Sequence, residues 1–175
     1  MKHVGPARKK MGKKTIFNLI GPLSSPAQVK RQVIGVFDKK WMKPFAEALK
    51  ENNVVHAYIV HSVDGMDEIS PFAKTDVVEL RSGKIKEFTI DPKDLGINSG
   101  NKENLKGKNA EYNSEKIIEI YKGTSNEFAQ SVALNAAAGL IVAGKENDFK
   151  NAFDKANNHL NSGKVFEHLT KLQSK

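Results

Sequence analysis

Residues 57–71 read A-Y-I-V-H-S-V-D-G-M-D-E-I-S-P and combine a strand, a turn and two adjacent carboxylates. Its apolar start, Ala57–Val60, has the length and β-branched content of a buried strand. Asp64-Gly65 is a turn signal that ends this strand. The adjacent carboxylates Asp67 and Glu68 then fall in the loop at the strand's carboxyl end, which is the edge where open α/β sheets bind ligands.

Two interpretations of Asp67 and Glu68 follow from the residues. Neighbouring carboxylates repel each other unless a positive charge neutralises them, and Mg²⁺ bound to phosphate oxygens is a common solution. The alternative is that the pair is simply solvated surface charge, which is the more frequent meaning of such a doublet. The rest of the chain has to decide between the two.

The composition sets the class of protein. A length of 175 residues with 39% hydrophobic content predicts a single domain with a real core. The absence of cysteine excludes disulfides and thiolate metal sites and suits a cytoplasmic protein. We expect no membrane segment, because the longest apolar stretch, near Ala136–Ala143, is too short, and we expect no secretory leader.

The net charge of +8 permits an anionic substrate, nucleic acid or plain solubility. The basic residues are scattered apart from an N-terminal group within residues 2–14, and no aromatic side chains interleave with that group. Single-strand binding surfaces usually combine the two. Nucleic-acid binding is therefore a minor hypothesis, and neither nucleic acid nor a membrane is an expected partner.

The first half of the chain predicts a βαβ unit followed by a hairpin. Val33–Phe37 and Val55–His61 are two strands with a helix between them, which begins after Asp38, so these strands should be parallel. Thr75–Arg81 and Lys84–Ile90 alternate strongly around the turn Ser82-Gly83, which indicates an antiparallel ribbon with one solvated face.

The last third is predicted to be helical. Apolar stripes at helical spacing fall in 109–122, 126–143 and 148–162, and a last helix covers Val165–Leu172. Residues 91–108 are a loop with one turn at Pro92–Leu95. None of the five histidines has metal-ligand spacing, and we expect His61 to be a hydrogen-bonded structural residue.

Three ordered blocks give the chain a resemblance to a known family. They are the N-terminal M-K-H-V-G-P-A-R-K-K-M-G-K-K-T-I-F-N-L-I-G-P-L-S-S-P, then D-G-M-D-E-I-S-P, then L-N-A-A-A-G-L-I-V-A-G-K. Together they resemble anthranilate phosphoribosyltransferase. The resemblance runs essentially end to end but covers only the carboxyl-terminal half of the family's length.

The resemblance implies a function in tryptophan synthesis. The family transfers phosphoribosyl from phosphoribosyl pyrophosphate to the amine of anthranilate and needs Mg²⁺, so Asp67 and Glu68 would ligate Mg²⁺ on the pyrophosphate side. Arg8, in a predicted helical turn after Pro6, would contact the anthranilate carboxylate. Gly21, in the Gly-Pro turn, matches a glycine lining the substrate's path. We expect no covalent nucleophile.

The resemblance also sets the expected architecture. We expect a mixed, largely parallel sheet with flanking helices, an antiparallel hairpin and a helical C-terminal third. This would be an incomplete part of a phosphoribosyltransferase- or nucleoside-phosphorylase-like α/β domain, residues 1–175, without the family's N-terminal helical domain and phosphate-binding loop. No comparable glycine-rich cradle occurs in the chain. Ala73-Lys74 stands where the family has Gly-Pro, and Ser25 where it has Asn.

Three functional alternatives remain open on the sequence. The first is that the chain is the carboxyl-terminal portion of the transferase, which we expect to be inactive by itself. The second is a fragment of a related pyrimidine nucleoside phosphorylase, and the third is a non-catalytic remnant or docking module. Because the family's sheet draws strands from both halves, we expect self-association or pairing with a missing N-terminal half.

Overall fold

Four strands form one sheet in the part of the chain that the computed structural model describes, residues 5, 10, 12, 19–24, 26–98 and 100–174. The elements in chain order are α1 (Ile20–Leu23), β1 (Arg31–Gly35), α2 (Met42–Glu51), β2 (His56–Ser62), β3 (Thr75–Arg81), β4 (Lys84–Ile90), α3 (Ala110–Tyr121), α4 (Glu127–Val142), α5 (Phe149–Asn161) and α6 (Lys164–Gln173). Short 3₁₀ turns at Lys39–Trp41, Pro92–Leu95 and Lys102–Leu105 connect them.

The sheet is mixed and has the strand order β1-β2-β3-β4. Strands β1 and β2 are parallel, with Gly35 opposite Val60, which confirms the βαβ unit. The β2–β3 and β3–β4 pairs are antiparallel. Parallel pairing is therefore less extensive in the described strands than the largely parallel sheet that was expected. Residues 63–74 contain no helix, and parallel neighbours need a long crossover connection.

Helices cover both faces of the sheet, so the mixed α/β class with flanking helices is confirmed. Alternate residues of β2 point to opposite faces. Ala57 and Ile59 pack with the apolar stripe of α2, and Tyr58 and Val60 pack with α4 and α5. Because both faces of β2 are covered, this strand is the centre of the molecule and its carboxyl end is held in place.

The hairpin β3–β4 has the predicted bounds, and both residues of its turn have positive φ, 49° at Ser82 and 76° at Gly83. The expectation of one solvated face is wrong. Both faces of β3 are largely buried, with Val77 and Val78 at 1% and 2% exposure. Strand β4 is exposed along its length except at Ile90, because it lies at the edge of the sheet in the described residues and no apolar helix face covers it.

The carboxyl-terminal helices begin at side chains that cap them. Asn109, Asn126 and Asp148 each accept a hydrogen bond from the backbone N–H three residues later, which satisfies a donor that the helix leaves unpaired. Ala137 and Ala138 of α4 are fully buried, so this helix approaches the sheet closely. The predicted helical third is confirmed.

No described helix combines the length and the apolar character that crossing a membrane would require.

Candidate functional site

The acidic pair Asp67 and Glu68 lies in a cleft at the carboxyl ends of the parallel strands β1 and β2. The cleft has a volume of about 760 Å³ and is lined by Gly35, by Val60 and by the loop after β2. Helices α3 and α4 form its opposite side. Both carboxylates are exposed. The position that was predicted for the pair, just beyond the end of a buried strand, is confirmed.

The loop that carries the pair folds back tightly on the end of β2. The N–H of Gly65 donates to the carbonyl of Ser62 at 2.9 Å, and the N–H of Ser62 donates to the carbonyl of Met66 at 2.9 Å. Gly65 has a φ of 87°, a conformation that favours glycine. The predicted turn at Asp64-Gly65 therefore exists, and it directs the chain from β2 into the cleft.

Asp64 holds this loop together from inside. Its carboxylate accepts hydrogen bonds from the Ser70 hydroxyl at 2.8 Å and from the N–H of Met66 at 3.2 Å. Lys102 donates to the Asp64 carbonyl oxygen at 2.7 Å, and its ammonium lies 3.5 Å from the carboxylate. Partial burial raises the pKa of Asp64, but hydrogen bonds from Ser62, Ser70 and Met66, with the charge of Lys102, outweigh it and hold the pKa below its ordinary value.

The segment after the pair, which contains Ala73-Lys74, is closed by its own hydrogen bonds. The N–H of Ser70 donates to the Thr75 hydroxyl at 3.1 Å. The carbonyl of Lys74 accepts from the N–H of Val63 at 2.9 Å and from the Ser62 hydroxyl at 3.2 Å. The loop is therefore anchored at both ends to β2 and β3.

Gly35 lets the end of β1 touch the acidic loop. A Cβ at this position would lie 1.5 Å from the carbonyl oxygen of Asp67 and 2.6 Å from its carbonyl carbon. No side chain fits there unless the backbone of the loop moves. Gly35 therefore fixes how close Asp67 comes to the sheet.

Asn135 of α4 grips the loop from the other side. Its Oδ1 accepts a hydrogen bond from the N–H of Ile69 at 3.0 Å, and its Nδ2 donates to the carbonyl of Ile69 at 3.1 Å. Nδ2 also donates to the carbonyl of Ser131, one turn earlier in α4, at 2.9 Å. The side-chain amide thus pairs with the peptide groups on both sides of Ile69, the residue that follows Glu68.

The acidic pair suits a Mg²⁺ ion that is shared with phosphate oxygens. Among the described residues, neither Asp67 nor Glu68 has an ion-pair or hydrogen-bond partner for its carboxylate. The same part of the chain holds no group of three or more His, Asp or Glu side chains placed to bind a metal. Mg²⁺ usually keeps several waters and takes one or two carboxylates plus substrate phosphates, so two free carboxylates meet its requirements.

The wall opposite the acidic pair is apolar. Ile117 and Ile120 come from α3, and Phe128 and Val132 come from α4. Ile117 remains 38% exposed. The cleft therefore has one charged side and one hydrophobic side.

The described part of the chain does not test the roles predicted for the other two site residues, Arg8 and Gly21. Arg8 lies outside the described residues, so its role stays a prediction. Gly21 is exposed on α1, is not part of the cleft lining, and has open space where a Cβ would project. Its role also stays a prediction.

His61 is a structural residue, as predicted. Its Nδ1 lies 2.8 Å from the carbonyl oxygen of Val36. Because a carbonyl oxygen only accepts, Nδ1 carries the proton in this contact. The histidine joins the ends of β2 and β1 and is not part of the cleft lining.

Two residues of the site, Gly35 and Asn135, were missed in the sequence. A glycine inside a strand pattern is a sign of a close backbone approach, and Gly35 interrupts the run V-I-G-V-F. An amide inside an apolar stretch of a helix needs a hydrogen-bond partner, and Asn135 is the one polar residue within V-A-L-N-A-A-A-G-L. Neither signal says which segment is contacted.

Comparisons with known proteins agree with this geometry. Residues 1–166 match the model of a glycosyl transferase family, described as its a/b domain. The anthranilate phosphoribosyltransferase of Pelagibacter ubique is 54% identical over 174 residues, which are 99% of this chain and 53% of that protein. That of Parvibaculum lavamentivorans is 44% identical over 98% of this chain and 50% of its own length.

Solved structures give the same result. The chain superposes on anthranilate phosphoribosyltransferase from Thermus thermophilus with a TM-score of 0.87 and 35% identity, over 98% of this chain and 50% of that one. The Saccharomyces cerevisiae enzyme in complex with 4-fluoroanthranilate superposes with a TM-score of 0.85 and 26% identity, over 97% of this chain and 50% of that one. The same yeast enzyme in complex with PRPP and Mg superposes with a TM-score of 0.86 and 24% identity, over 97% of this chain and 49% of that one. At this identity the likeness is evidence for the fold only.

The chain spans about half the length of the curated relatives it matches. The family model matches nearly all residues of this chain, and the chain superposes on a solved member. These findings confirm the resemblance inferred from the three sequence blocks. The chain belongs to the glycosyl transferase family, whose a/b-domain model matches residues 1–166.

Proposed function

We propose that this chain supplies the magnesium-binding part of an anthranilate phosphoribosyltransferase, which transfers phosphoribosyl from phosphoribosyl pyrophosphate to the amine of anthranilate in tryptophan biosynthesis. The observation that carries the proposal is the pair of exposed carboxylates, Asp67 and Glu68, which have no ion-pair partner among the described residues and are fixed at the carboxyl end of two parallel strands. Relatives of this name match the chain from end to end. The yeast neighbours hold PRPP with Mg in one case and an anthranilate analogue in another.

In this proposal, Asp67 and Glu68 hold Mg²⁺ on the pyrophosphate of the donor. A Mg²⁺ ion held by these two carboxylates would supply Lewis-acid stabilisation of negative charge on the pyrophosphate. The chain itself contributes a fixed geometry: Gly35 and Asn135 hold the acidic loop at the sheet edge. Preorganised charge of this kind accelerates a reaction by positioning and electrostatics, without a covalent nucleophile.

Arg8 and Gly21 complete the proposed substrate site. A planar guanidinium binds a benzoate carboxylate with two parallel hydrogen bonds, which suits Arg8 for anthranilate. Gly21, in the sequence L-I-G-P-L, is proposed to line the path of the substrate.

The phosphates of the donor need a further site. The 175 residues contain no glycine-rich phosphate cradle, and the relatives are about twice as long. We therefore propose that the chain by itself shows no turnover and that it works with the equivalent of the relatives' other half. In the described residues β1 pairs on one side only, so we also propose that the chain self-associates or accepts another strand there.

A fusion tests the function. The N-terminal half of the Pelagibacter ubique enzyme, joined to this chain, should form phosphoribosyl anthranilate in a Mg²⁺-dependent reaction, whereas the chain alone should not. Asp67→Ala and Glu68→Ala should each lose most of the reaction rate, and the rate that remains should no longer depend on Mg²⁺. Asp154→Ala is the matched control, since Asp154 is a surface carboxylate of α5 that pairs with Lys150 at 2.9 Å.

Three outcomes would contradict the proposal. Turnover by the chain alone would show that the missing phosphate site is dispensable. Unchanged Mg²⁺ dependence in both acidic variants would remove the assigned role of the pair. Phosphorolysis of pyrimidine nucleosides by the fusion, without phosphoribosyl transfer to anthranilate, would favour the related phosphorylase.

A further inference from the structure

The acidic loop is held to α4 by one side chain, and this contact has a consequence for metal binding. Asn135 makes two hydrogen bonds to the backbone of Ile69, which immediately follows Glu68 in the chain. Ile69 is fully buried. Because the side chain of Ile69 is locked in the core and its peptide is locked to Asn135, the orientation of the preceding carboxylate depends on this amide.

Asn135 is itself oriented by its own helix. Its Nδ2 is shared between the carbonyl of Ile69 and the carbonyl of Ser131. Only an amide side chain offers an acceptor and two donors in this arrangement. An aspartate would keep the acceptor for the Ile69 N–H but would turn an oxygen toward two carbonyl oxygens. The site therefore selects asparagine on chemical grounds.

We propose that Asn135 is a positioning residue for the metal-binding pair: it sets the orientation of Glu68 and Asp67, and through them the affinity for the divalent cation. The inference rests on the proposed function, since it assumes that the pair binds a metal. Residues that orient metal ligands through hydrogen bonds typically change metal affinity by ~10–100-fold when they are removed.

The test is made on the 175-residue chain with Mn²⁺ alone as the probe. In ¹⁵N-labelled wild type, Mn²⁺ should broaden the amide signals of Asp67 and Glu68 at the lowest concentrations. In Asn135→Ala, the half-saturating Mn²⁺ concentration at these signals should rise ~10-fold or more. Exchange of the Ile69 amide hydrogen should accelerate in the same variant, because its acceptor is gone.

Two further variants separate positioning from loss of stability. Ile141→Ala removes a buried side chain from the same helix but makes no hydrogen bond to the loop, so it should lower the unfolding midpoint and leave Mn²⁺ affinity unchanged. Asn135→Asp keeps an oxygen that accepts from the Ile69 N–H but removes the Nδ2 group that donates to the Ile69 carbonyl. It should weaken Mn²⁺ binding as Asn135→Ala does, and it serves as the test if the alanine variant does not fold.

The outcomes test the metal site at Asp67 and Glu68 separately from the positioning role of Asn135. Wild-type chain whose Asp67 and Glu68 signals are not broadened selectively would overturn the proposed metal site, and this inference with it. Selective broadening in wild type with a Mn²⁺ affinity within twofold in both Asn135 variants would leave the metal site standing and overturn the role of Asn135. An equal loss of affinity in Ile141→Ala would also overturn it, since general destabilisation would then explain the effect.

Discussion

Replacing Gly35 with alanine tests how the acidic loop is held against the sheet. The added Cβ would lie 1.5 Å from the Asp67 carbonyl oxygen, whereas real Cβ contacts are essentially never shorter than 3.0 Å. The obstructing atom belongs to the backbone, so no side-chain rotation relieves the contact. Strand β1 and the loop must therefore separate by at least 1.5 Å.

The size of the effect follows from this geometry. Forcing extra atoms into a packed interior costs about 1–3 kcal/mol, so the free energy of unfolding of Gly35→Ala should fall by about that amount. Without the close approach the sign would be opposite, because alanine within a strand is about 0.5–1 kcal/mol more favourable than glycine. A displacement of about 1 Å at a catalytic group can also reduce a rate ~10²-fold.

Urea unfolding of the chain, followed by circular dichroism, measures the change. Gly139→Ala is the matched control, because Gly139 lies within α4 and a Cβ there would meet nothing within 4 Å. This control should gain up to about 1 kcal/mol from helix propensity. If Gly35→Ala were as stable as wild type or more stable, and the amide signals of Asp67 and Glu68 were unshifted, the proposed contact would be refuted.

The remaining predictions concern the surroundings of the site. Asp64 has a pKa below its ordinary value in the folded chain, so its stabilisation is present above the unfolded value near 3.8 and is lost as the pH falls through the lower, folded value. Asp64→Asn should flatten that acid limb of stability in pH titrations, and an unchanged limb would contradict the assignment. Asn126→Ala removes the cap of α4 and should lower the free energy of unfolding, measured in urea, by about 0.5–2 kcal/mol. The Mn²⁺ affinity should stay the same, and a change in that affinity would contradict the prediction. Glu79→Ala removes the partner of His56, which is 3% exposed and lies 2.8 Å from the carboxylate, and should cost about 1.5–3 kcal/mol; Glu79→Gln, which keeps an acceptor, should cost less, and equal losses would exclude the hydrogen bond as the cause.

Much of the fold could be predicted because local signals decide it. The hairpin bounds follow from alternation around Ser82-Gly83, and three helices begin where Asn109, Asn126 and Asp148 stand as caps. Strand β1 was harder: it begins at Arg31 and ends at Gly35, two residues before the prediction of Val33–Phe37 on both sides. Its bounds are set by pairing with β2, which apolar content does not reveal.

The site could be predicted only in part. The acidic pair was located because a turn and two carboxylates are contiguous in the chain. Asn135 contacts the loop from 66 residues further along the chain, and Gly35 contacts it from about half that distance before it. Only the packing of α4 and β1 brings the two residues to the loop. The degree of exposure of β4 was also beyond the sequence, because it depends on which helices reach the sheet's edge.

The position of the bound cation can be measured by anomalous diffraction. Crystals of the chain fused to a relative's N-terminal half, grown with Mn²⁺ and phosphoribosyl pyrophosphate, would give an anomalous difference peak at each bound ion. We expect a peak between the donor's pyrophosphate and the carboxylates of Asp67 and Glu68. Peaks elsewhere, with both carboxylates directed into solvent, would contradict it.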